Sequence, residues 1–268
     1  MKDETIKTEL DYVSTPIPEE GVFKISPSGF AKFIERPHQW YREEVLGEDG
    51  FDYNTASVLG TIVHYCAEKV AKQEEVDIDE IERYISKHGV TEDFIPEIVH
   101  NQYVDMAERL VNDYVNGREF LEVESQIAAP VKDGFWAAGT LDALEGSMKD
   151  CMMVDYKTYS SKTKPRAIPQ HYKYQLLVYA WILMQSGYNV TRVRLVYINR
   201  NIEGEISEKT GKRLKSYPPE VTVLTETIEK SDLDFIEGLL NLAVDSCLAS
   251  DKHPELAHVI WHDPRLAP

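Results

Sequence analysis

The stretch that decides the fold is Phe135-Trp136-Ala137-Ala138-Gly139-Thr140-Leu141-Asp142-Ala143-Leu144, followed by Cys151-Met152-Met153-Val154-Asp155-Tyr156-Lys157. Both segments are apolar and rich in strand-forming residues, and the turn-forming residues from Gly146 to Asp150 lie between them. The pattern predicts a β-hairpin in which Asp142 and Asp155 lie side by side. Lys157, two residues further along the strand, then faces the same side as Asp155.

Two carboxylates and an ammonium group at one point of a sheet need a physical reason. Buried charges are costly unless they are paired or bind a metal. A hard divalent cation held by oxygen ligands would supply the missing charge. The hairpin therefore predicts a metal site built on Asp142 and Asp155, with Lys157 beside it.

Three further motifs accompany the hairpin, in order along the chain. They are Ser26-Pro27-Ser28-Gly29-Phe30 with Arg36-Pro37-His38-Gln39-Trp40-Tyr41, then Gly60-Thr61-Ile62-Val63-His64, and finally Gln175-Leu176-Leu177-Val178-Tyr179. With Gly-x-x-Asp and Asp-x-Lys in the hairpin, this series resembles the PD-(D/E)XK nuclease superfamily and specifically its RecB-like exonuclease branch. The resemblance implies an α/β fold with an αβββαβ core (restriction-endonuclease-like) and a helical N-terminal subdomain.

The resemblance also implies roles for individual residues. Metal ligands would be His64, Asp142, Asp155 and the carbonyl oxygen of Tyr156. Lys157 would act at the scissile phosphate, where it orients and helps to deprotonate the attacking water and stabilises the pentacoordinate oxyanion. Gln175 and Tyr179 would contact the substrate or position the water.

Two acidic residues are candidates for one further position in the site. Glu124 falls on the strand before Asp142, where relatives often carry an acid, and Glu122 on the same strand face is its rival. Glu68 lies one helical turn after His64 and would act behind the metal ligands, if at all.

The composition is that of a globular protein of 268 residues, with 43% hydrophobic and 28% charged residues. No apolar run approaches the length of a membrane span, and no signal peptide is visible, so a cytoplasmic protein without membrane contact is expected. The three cysteines, Cys66, Cys151 and Cys247, fit a reducing compartment. Many RecB-like nucleases hold an iron–sulfur cluster on four cysteines, so three scattered ones predict no cluster here.

Charge is distributed unevenly along the chain. The net charge is −17, yet residues 156–202 contain no Asp or Glu and eight Lys or Arg, which leaves −25 for the rest. This acid-free window begins next to Lys157, which favours a track for DNA phosphates. The substrate-binding candidates in it are Lys162, Lys164, Arg166 and Lys173.

The organisation of the chain follows from periodicity and turn residues. We expect a mobile leader over 1–21, a helical N-terminal region over 22–117, a nuclease core over 118–250 and a C-terminal tail over 251–268. Helices are predicted over about 26–46, 56–73, 78–87 and 92–116. Three strands in a meander (120–131, 135–144, 151–158), a helix (170–186), two more strands (191–199, 222–228) and a last helix (231–250) follow.

These observations predict a metal-dependent deoxyribonuclease with Mg²⁺ or Mn²⁺ as cofactor. An exonuclease that acts on DNA ends in recombination, repair or phage replication is the first hypothesis. A non-catalytic DNA-binding or scaffold relative and a site-specific or structure-specific endonuclease are the alternatives. The sequence contains no helicase motif, so any unwinding would come from a partner chain. A single-strand annealing protein and a helicase are the candidate partners, beside DNA itself. A homo-oligomer stays open.

Overall fold

The computed structural model describes residues 22–48, 54–88, 95–132, 134–202, 204, 206 and 209–266. The expected leader, residues 1–21, lies outside the described residues. Elements before the hairpin are β1 (Phe23–Ile25), α1 (Pro27–Glu35), α2 (Pro37–Trp40), a π-helical turn (Tyr41–Val45), α3 (Thr55–Ala71), α4 (Ile78–His88), α5 (Pro96–Leu110) and a second π-helical turn (Val111–Val115). Then come β2 (Phe120–Lys132), β3 (Phe135–Ser147), β4 (Asp150–Tyr159), α6 (Gln170–Gln185), β5 (Val190–Asn199), β6 (Val221–Thr227), α7 (Lys230–Lys252), a 3₁₀ turn (Pro254–Leu256), α8 (Ala257–Ile260) and a last 3₁₀ turn (Pro264–Leu266).

The six strands form one mixed sheet around β3 and β4. β2, β3 and β4 make the predicted antiparallel meander, and α6 leads into β5, which is parallel to β4 with Asp155 opposite Leu195. β6 is antiparallel to β5. The core order is therefore αβββαβ, so the predicted fold class is confirmed.

One edge of β3 is shared between two different strands. β1 pairs with it in parallel over Phe135 to Ala137, and β4 pairs with it from Ala143 onward. Between these two stretches the ladders of the described residues leave a gap along residues 138–142. Asp142 lies at the end of this gap, directly before the last pair, Ala143 with Val154.

Each face of the sheet is covered by its own helices. The α6-side core is the buried cluster that contains α1, α2, α6, α7, α8 and, among others, Trp40, Trp181 and Trp261. The α3-side core is the cluster built from α3, α4, α5 and the second π-helical turn against Met152, Val154, Tyr156, Val196 and Ile198. The sheet is thus buried on both sides, as expected when a parallel crossover adds helices to both faces.

The structure corrects the predicted first helix. It was expected to run unbroken from residue 26 to about 46, but it ends at Glu35, because Pro37 excludes the helical conformation at Arg36 (φ −146°, ψ 69°). Proline also starts the helix expected over 92–116, since Pro96 occupies its first turn, where no backbone N–H is needed. Residues 92–94 of that expectation lie outside the described part of the chain.

The expected division of the chain into four regions stays a prediction. The packing of the described residues is relevant to it in two places. Residues of the N-terminal region supply helices to both faces of the sheet. At the other end, Trp261 is 1% exposed, stacks on Tyr41 with 4.3 Å between ring centroids and donates a hydrogen bond of 2.7 Å to Ser250 Oγ. The described part of the expected tail is therefore packed against the body. None of the described helices is long and apolar enough to span a bilayer.

Candidate active site

The gap in the β3 edge brings side chains from both faces together. Asp142 Oδ2 accepts a hydrogen bond of 2.6 Å from the backbone N–H of Tyr156, so a side chain continues the ladder where the strands separate. The carbonyl of Thr140, also in the gap, accepts a 2.8 Å bond from Tyr179 of α6. Because buried backbone groups must find partners, the gap is stable only with these side chains in place.

His64 reaches the gap from α3. Its Nδ1 lies 3.6 Å from Asp142 Oδ2. A Cβ on Gly60, one turn earlier, would lie 3.3 Å from Thr158 Oγ1 of β4. That distance is tight, so glycine lets α3 approach β4 closely enough for His64 to meet Asp142.

Glu124 joins these two residues, whereas Glu122 does not. Ligand atoms of His64, Glu124 and Asp142 all lie within 4.8 Å of one another. Glu124 has a φ of +46°, a left-handed conformation that non-glycine residues rarely adopt. At this residue the side chains of β2 therefore stop alternating regularly between the two faces of the sheet. Glu122 instead accepts bonds from Ser125 Oγ (3.2 Å) and the Tyr188 hydroxyl (3.3 Å). The geometry thus separates the two rivals.

Asp155 lies beside this cluster and is held by different partners. It is 2% exposed. Its Oδ2 is 2.5 Å from Lys157 Nζ, and its Oδ1 accepts a 3.2 Å hydrogen bond from the Gln175 amide. Oδ2 is buried and receives no hydrogen bond of good geometry among the described residues, so a lone pair stays available.

Burial sets the protonation of the three carboxyl groups. Burial raises the pKa of Glu124 well above its usual range, and the charge of Asp142 adds to this. Burial also raises the pKa of Asp155, to about 6, although Lys157 opposes it. Burial would raise the pKa of Asp142 too, but the neighbouring His64 imidazole, Lys157 and the Tyr156 N–H outweigh it, so this pKa is lowered.

The pKa of Lys157 is raised as well. Burial acts to lower it, but the carboxylates of Asp155 and Asp142 prevail. Lys157 Nζ also lies 5.4 Å from the ring centroid of Tyr172. Its ammonium form is therefore strongly favoured without any other cation present.

The donor set fits a hard divalent cation. Glu124 and Asp142 supply oxygens and His64 a nitrogen within one small volume, and Asp155 is close enough for the charges of Asp142 and His64 to act on its carboxyl group. The pKa values of Glu124 and Asp155 are raised because burial disfavours their ionised forms. A cation bound beside them would favour the ionised forms again. The predicted role of the Tyr156 carbonyl as a ligand stays a prediction.

Gln175 and Tyr179 are both buried, at 8% and 7% exposure. Their hydrogen bonds go to Asp155 and to Thr140, so in this structure they hold the site rather than face solvent. The sequence reading missed Tyr172, whose ring lies under Lys157. A signal was present, because Tyr172 precedes Gln175 by three residues and so shares its helix face.

The predicted basic residues differ in how they are paired. Lys164 forms an ion pair with Glu220, and Lys173 lies 2.9 Å from Glu226. Lys162 and Arg166 are exposed, and neither forms a salt bridge to an acid in the part of the chain that the structure describes. The acid-free window is therefore partly neutralised by acids from β6 and the segment before it.

Behind Glu124 lies a buried ion pair. Glu68 is 4% exposed, and its Oε1 lies 3.1 Å from Lys72 Nζ. Burial raises the pKa of Glu68, while Lys72 opposes this. Both charges act on the Glu124 carboxyl group, which makes Glu68 a neighbour of the cluster, as weighed from the sequence.

Among curated proteins, none matches the sequence. Solved structures are similar at low identity. The crystal structure of SSO0001 matches with a TM-score of 0.41 and 14% identity, over 86% of this chain and 79% of that one. An alkaline exonuclease (LHK-Exo) from Laribacter hongkongensis matches with a TM-score of 0.33 and 14% identity, over 70% of this chain and 89% of that one.

A second structure of LHK-Exo, in complex with dAMP, matches with a TM-score of 0.35 and 11% identity, over 74% of this chain and 95% of that one. The family comparison is of a different kind, because it covers most of the sequence. The model of the PD-(D/E)XK nuclease superfamily matches residues 24–246, a range that contains β2 to β6 and the whole cluster around Asp142. The chain belongs to the PD-(D/E)XK nuclease superfamily.

Proposed function

We propose that this protein is a metal-dependent deoxyribonuclease that hydrolyses phosphodiester bonds at DNA ends. The observation that carries the proposal is the pairing of Lys157 with Asp155, 2.5 Å apart, next to the cluster of His64, Glu124 and Asp142. A non-catalytic descendant has no need for a buried ammonium beside three carboxyl groups. Buried charges of this kind are kept only at a cost in stability.

The chain's own residues divide the chemistry between them. His64, Glu124, Asp142 and Asp155 would hold Mg²⁺ or Mn²⁺. The ion would neutralise charge on the phosphoryl oxygens and lower the pKa of the attacking water. Lys157, as an ammonium, would stabilise the oxyanion and orient the water by hydrogen bonding. Its raised pKa speaks against a role as the group that removes the proton.

Gln175 and Tyr179 then serve as positioning residues. Gln175 fixes the rotamer of Asp155, and Tyr179 fixes the β3 backbone two residues before Asp142. A small displacement of such groups costs much of the rate, because reacting atoms must be held within a few tenths of an ångström. This role replaces the substrate contact that the motif resemblance implies for them.

No iron–sulfur cluster is part of the proposal. Cys66 lies in the α3-side core, while Cys151 and Cys247 lie in the α6-side core, on the other face of the sheet. Burial raises the pKa of the Cys66 and Cys247 thiols to about 12, whereas cluster ligands are thiolates. Iron and labile sulfide measured in anaerobically purified protein test this, and stoichiometric amounts would contradict it.

The activity is tested with end-labelled linear DNA and covalently closed circular DNA of the same sequence. With Mg²⁺ the linear DNA should be degraded from its ends while the closed circle stays intact, and EDTA should abolish degradation. Cleavage of the closed circle at comparable rate would favour the endonuclease alternative. An inert protein with both DNAs, under Mg²⁺ and Mn²⁺, would favour the non-catalytic one. A partner helicase or annealing protein and assembly into an oligomer are not needed for this test.

A further inference from the structure

A second feature lies beyond Lys157, at the carboxyl ends of the parallel strands β4 and β5. It is a cavity of about 610 Å³. Tyr159 and Asn199, which are opposite each other in the ladder, form its floor, and the segment with Tyr217 and Glu220 forms one wall. Carboxyl ends of parallel strands are common ligand sites.

The cavity and the candidate active site are neighbours on β4. Tyr159 follows Lys157 by two residues on β4, so the two side chains share a face about 7 Å apart along the strand. A chain of ring contacts also joins them. Lys157 Nζ lies 5.4 Å from the Tyr172 ring centroid, Tyr172 and Tyr197 are 6.2 Å apart, and Tyr197 and Tyr159 are 5.3 Å apart.

Two lysines of the cavity lack an acidic partner. Lys162 and Lys215 are exposed and form no salt bridge with any acid that the structure describes, and Lys215 Nζ lies 5.0 Å from the ring centroid of Tyr217. Lys164 adds a third ammonium, in an exposed pair with Glu220. Exposed pairs of this type are weak and can exchange one partner for a phosphate.

The opposite wall carries acids. It is formed by α5, whose Asp105 and Glu108 line the cavity together with Arg109. Because Arg109 is paired with Asp113, the two acids leave this wall unfavourable for a phosphate backbone. A strand in the cavity would therefore turn its phosphates toward Lys162 and Lys215 and its bases toward Tyr217. Lysines along one side and a partly exposed aromatic ring beside them are the usual elements of a single-strand site.

We propose that this cavity binds a single-stranded segment of DNA next to the scissile phosphate, with Lys162 and Lys215 at its phosphates and Tyr217 against a base. The volume is in the range of small-molecule sites, so the cavity has room for a nucleotide or two. The inference rests on the proposed nuclease function and adds to it the form of DNA that the chain holds at the site.

The test uses the whole chain and a fluorescent oligonucleotide in EDTA, where binding is measured without cleavage. The double variant Lys162→Ala/Lys215→Ala should weaken binding and make the log–log salt dependence shallower by about 1.4, since two single-strand phosphate contacts are lost. Tyr217→Ala should weaken binding about 5-fold to 100-fold, and Tyr217→Phe, which keeps the ring, should bind like the unmodified protein.

A matched control removes the same charge elsewhere. The double variant Lys209→Ala/Lys212→Ala changes two exposed lysines of the same segment that do not line the cavity. It should lose little affinity and keep most of the salt dependence. Equal losses in the two double variants would mean a general effect of charge and would overturn the inference. So would a loss for blunt duplex DNA as large as that for the single strand.

Two further readouts separate this inference from the proposed function. Hydrolysis of bis(p-nitrophenyl) phosphate with Mn²⁺ needs only the site at Lys157, so the cavity variants should keep its rate while KM for the oligonucleotide rises. If they cleave the oligonucleotide with unchanged KM, the nuclease function stands and the cavity inference fails. If no phosphodiester is hydrolysed by any variant but single-strand binding depends on Lys162, Lys215 and Tyr217, the nuclease proposal fails and the binding site stands.

Discussion

At the scale of single residues, the site combines one carboxyl group that ionises readily with two carboxyl groups whose ionisation is disfavoured by burial. Asp142 has a lowered pKa, while the pKa values of Asp155 and Glu124 are raised. Neighbouring titratable groups whose environments push their pKa values apart are typical of functional sites. A purely structural cluster would gain stability from replacing these groups with apolar side chains.

Lys157→Ala should lower kcat for DNA cleavage at least about 100-fold, because it removes a preorganised charge next to the scissile phosphate. Asp155→Asn should do the same, since a neutral amide holds a cation poorly. Circular dichroism should show both variants folded. Lys132→Ala, which breaks only an exposed ion pair with Asp245, is the matched control and should keep full activity. Near-normal turnover of purified Lys157→Ala would remove the lysine from the mechanism.

The metal-free protein should lose stability as pH rises from about 4 to 7. The pKa of Asp155 in the folded chain is about 6, above its ordinary 3.8, so its contribution is complete below 3.8 and is lost as pH passes 6. Two pKa units correspond to at most about 3 kcal/mol. Asp142 acts oppositely, because its pKa is lowered, and its contribution is lost only when pH falls below its ordinary 3.8.

Urea unfolding in EDTA at several pH values measures this dependence. Asp155→Asn should reduce the decline between pH 4 and 7, because the amide does not titrate, while Glu124, whose pKa is also raised, keeps a decline of the same sign. Adding Mg²⁺ at pH 7.5 should restore stability to the unmodified protein, since a cation bound to the folded state pairs with the ionised groups. An unchanged pH dependence in Asp155→Asn would assign the decline to other groups.

Sequence reasoning located the charged residues of the site but not their partners. Asp142, Asp155 and Lys157 follow from strand periodicity and one turn, which are local signals. Gln175 and Tyr179 were recognised, yet their burial against Asp155 and Thr140 was not predicted. Burial on an apolar helix depends on what packs against it, and α6 has no clear polar face. The choice of Glu124 over Glu122 depends on one left-handed residue, which the sequence does not indicate.

At the scale of elements, the gap in the β3 edge is the feature that makes the site. The meander, α6, β5, β6 and α7 could be predicted, because each has length and periodicity of its own. β1 could not, because three residues carry too little pattern, and its parallel pairing with β3 bridges more than a hundred residues of chain. Without β1, the gap along residues 138–142 has no second border, and the sequence predicts a plain hairpin.

Gly139→Ala should damage the gap. A Cβ at this position would lie 2.9 Å from Pro27 Cδ and 3.2 Å from Tyr179 Cε1, so α1 or Tyr179 must move. We expect a loss of about 1–3 kcal/mol in unfolding free energy and a fall in kcat, because Tyr179 holds Thr140 beside Asp142. The control Gly238→Ala in α7, where a Cβ meets nothing within 4 Å, should stabilise by about 0.5–1 kcal/mol. A fully active Gly139→Ala would show that the gap tolerates displacement.

At the scale of the whole molecule, the two cores share one sheet. Met152 and Val154 of β4 belong to the α3-side core, while Met153 between them belongs to the α6-side core. The same strand carries Asp155 and Lys157. Loss of either core therefore removes one cover of the strand on which the site is built.

This arrangement predicts cooperative unfolding, which tests the expected division at residue 117. Three of the four tryptophans, Trp40, Trp181 and Trp261, lie in the α6-side core, and all four lie in the described part of the chain with none in the α3-side core. Met106→Ala, in the α3-side core and 0% exposed, should cost about 2–5 kcal/mol and lower the fluorescence midpoint as much as the circular-dichroism midpoint.

Leu240→Ala, equally buried in the α6-side core, is the matched variant and should shift both midpoints in the same way. If residues 22–117 held an independent domain, Met106→Ala would instead split the transition, lowering helical signal first while the tryptophans kept their native emission. Mg²⁺ should move the single transition of both variants upward, because the proposed ligands His64 and Asp142 come from α3 and β3, and binding would join the helices of one face to the sheet.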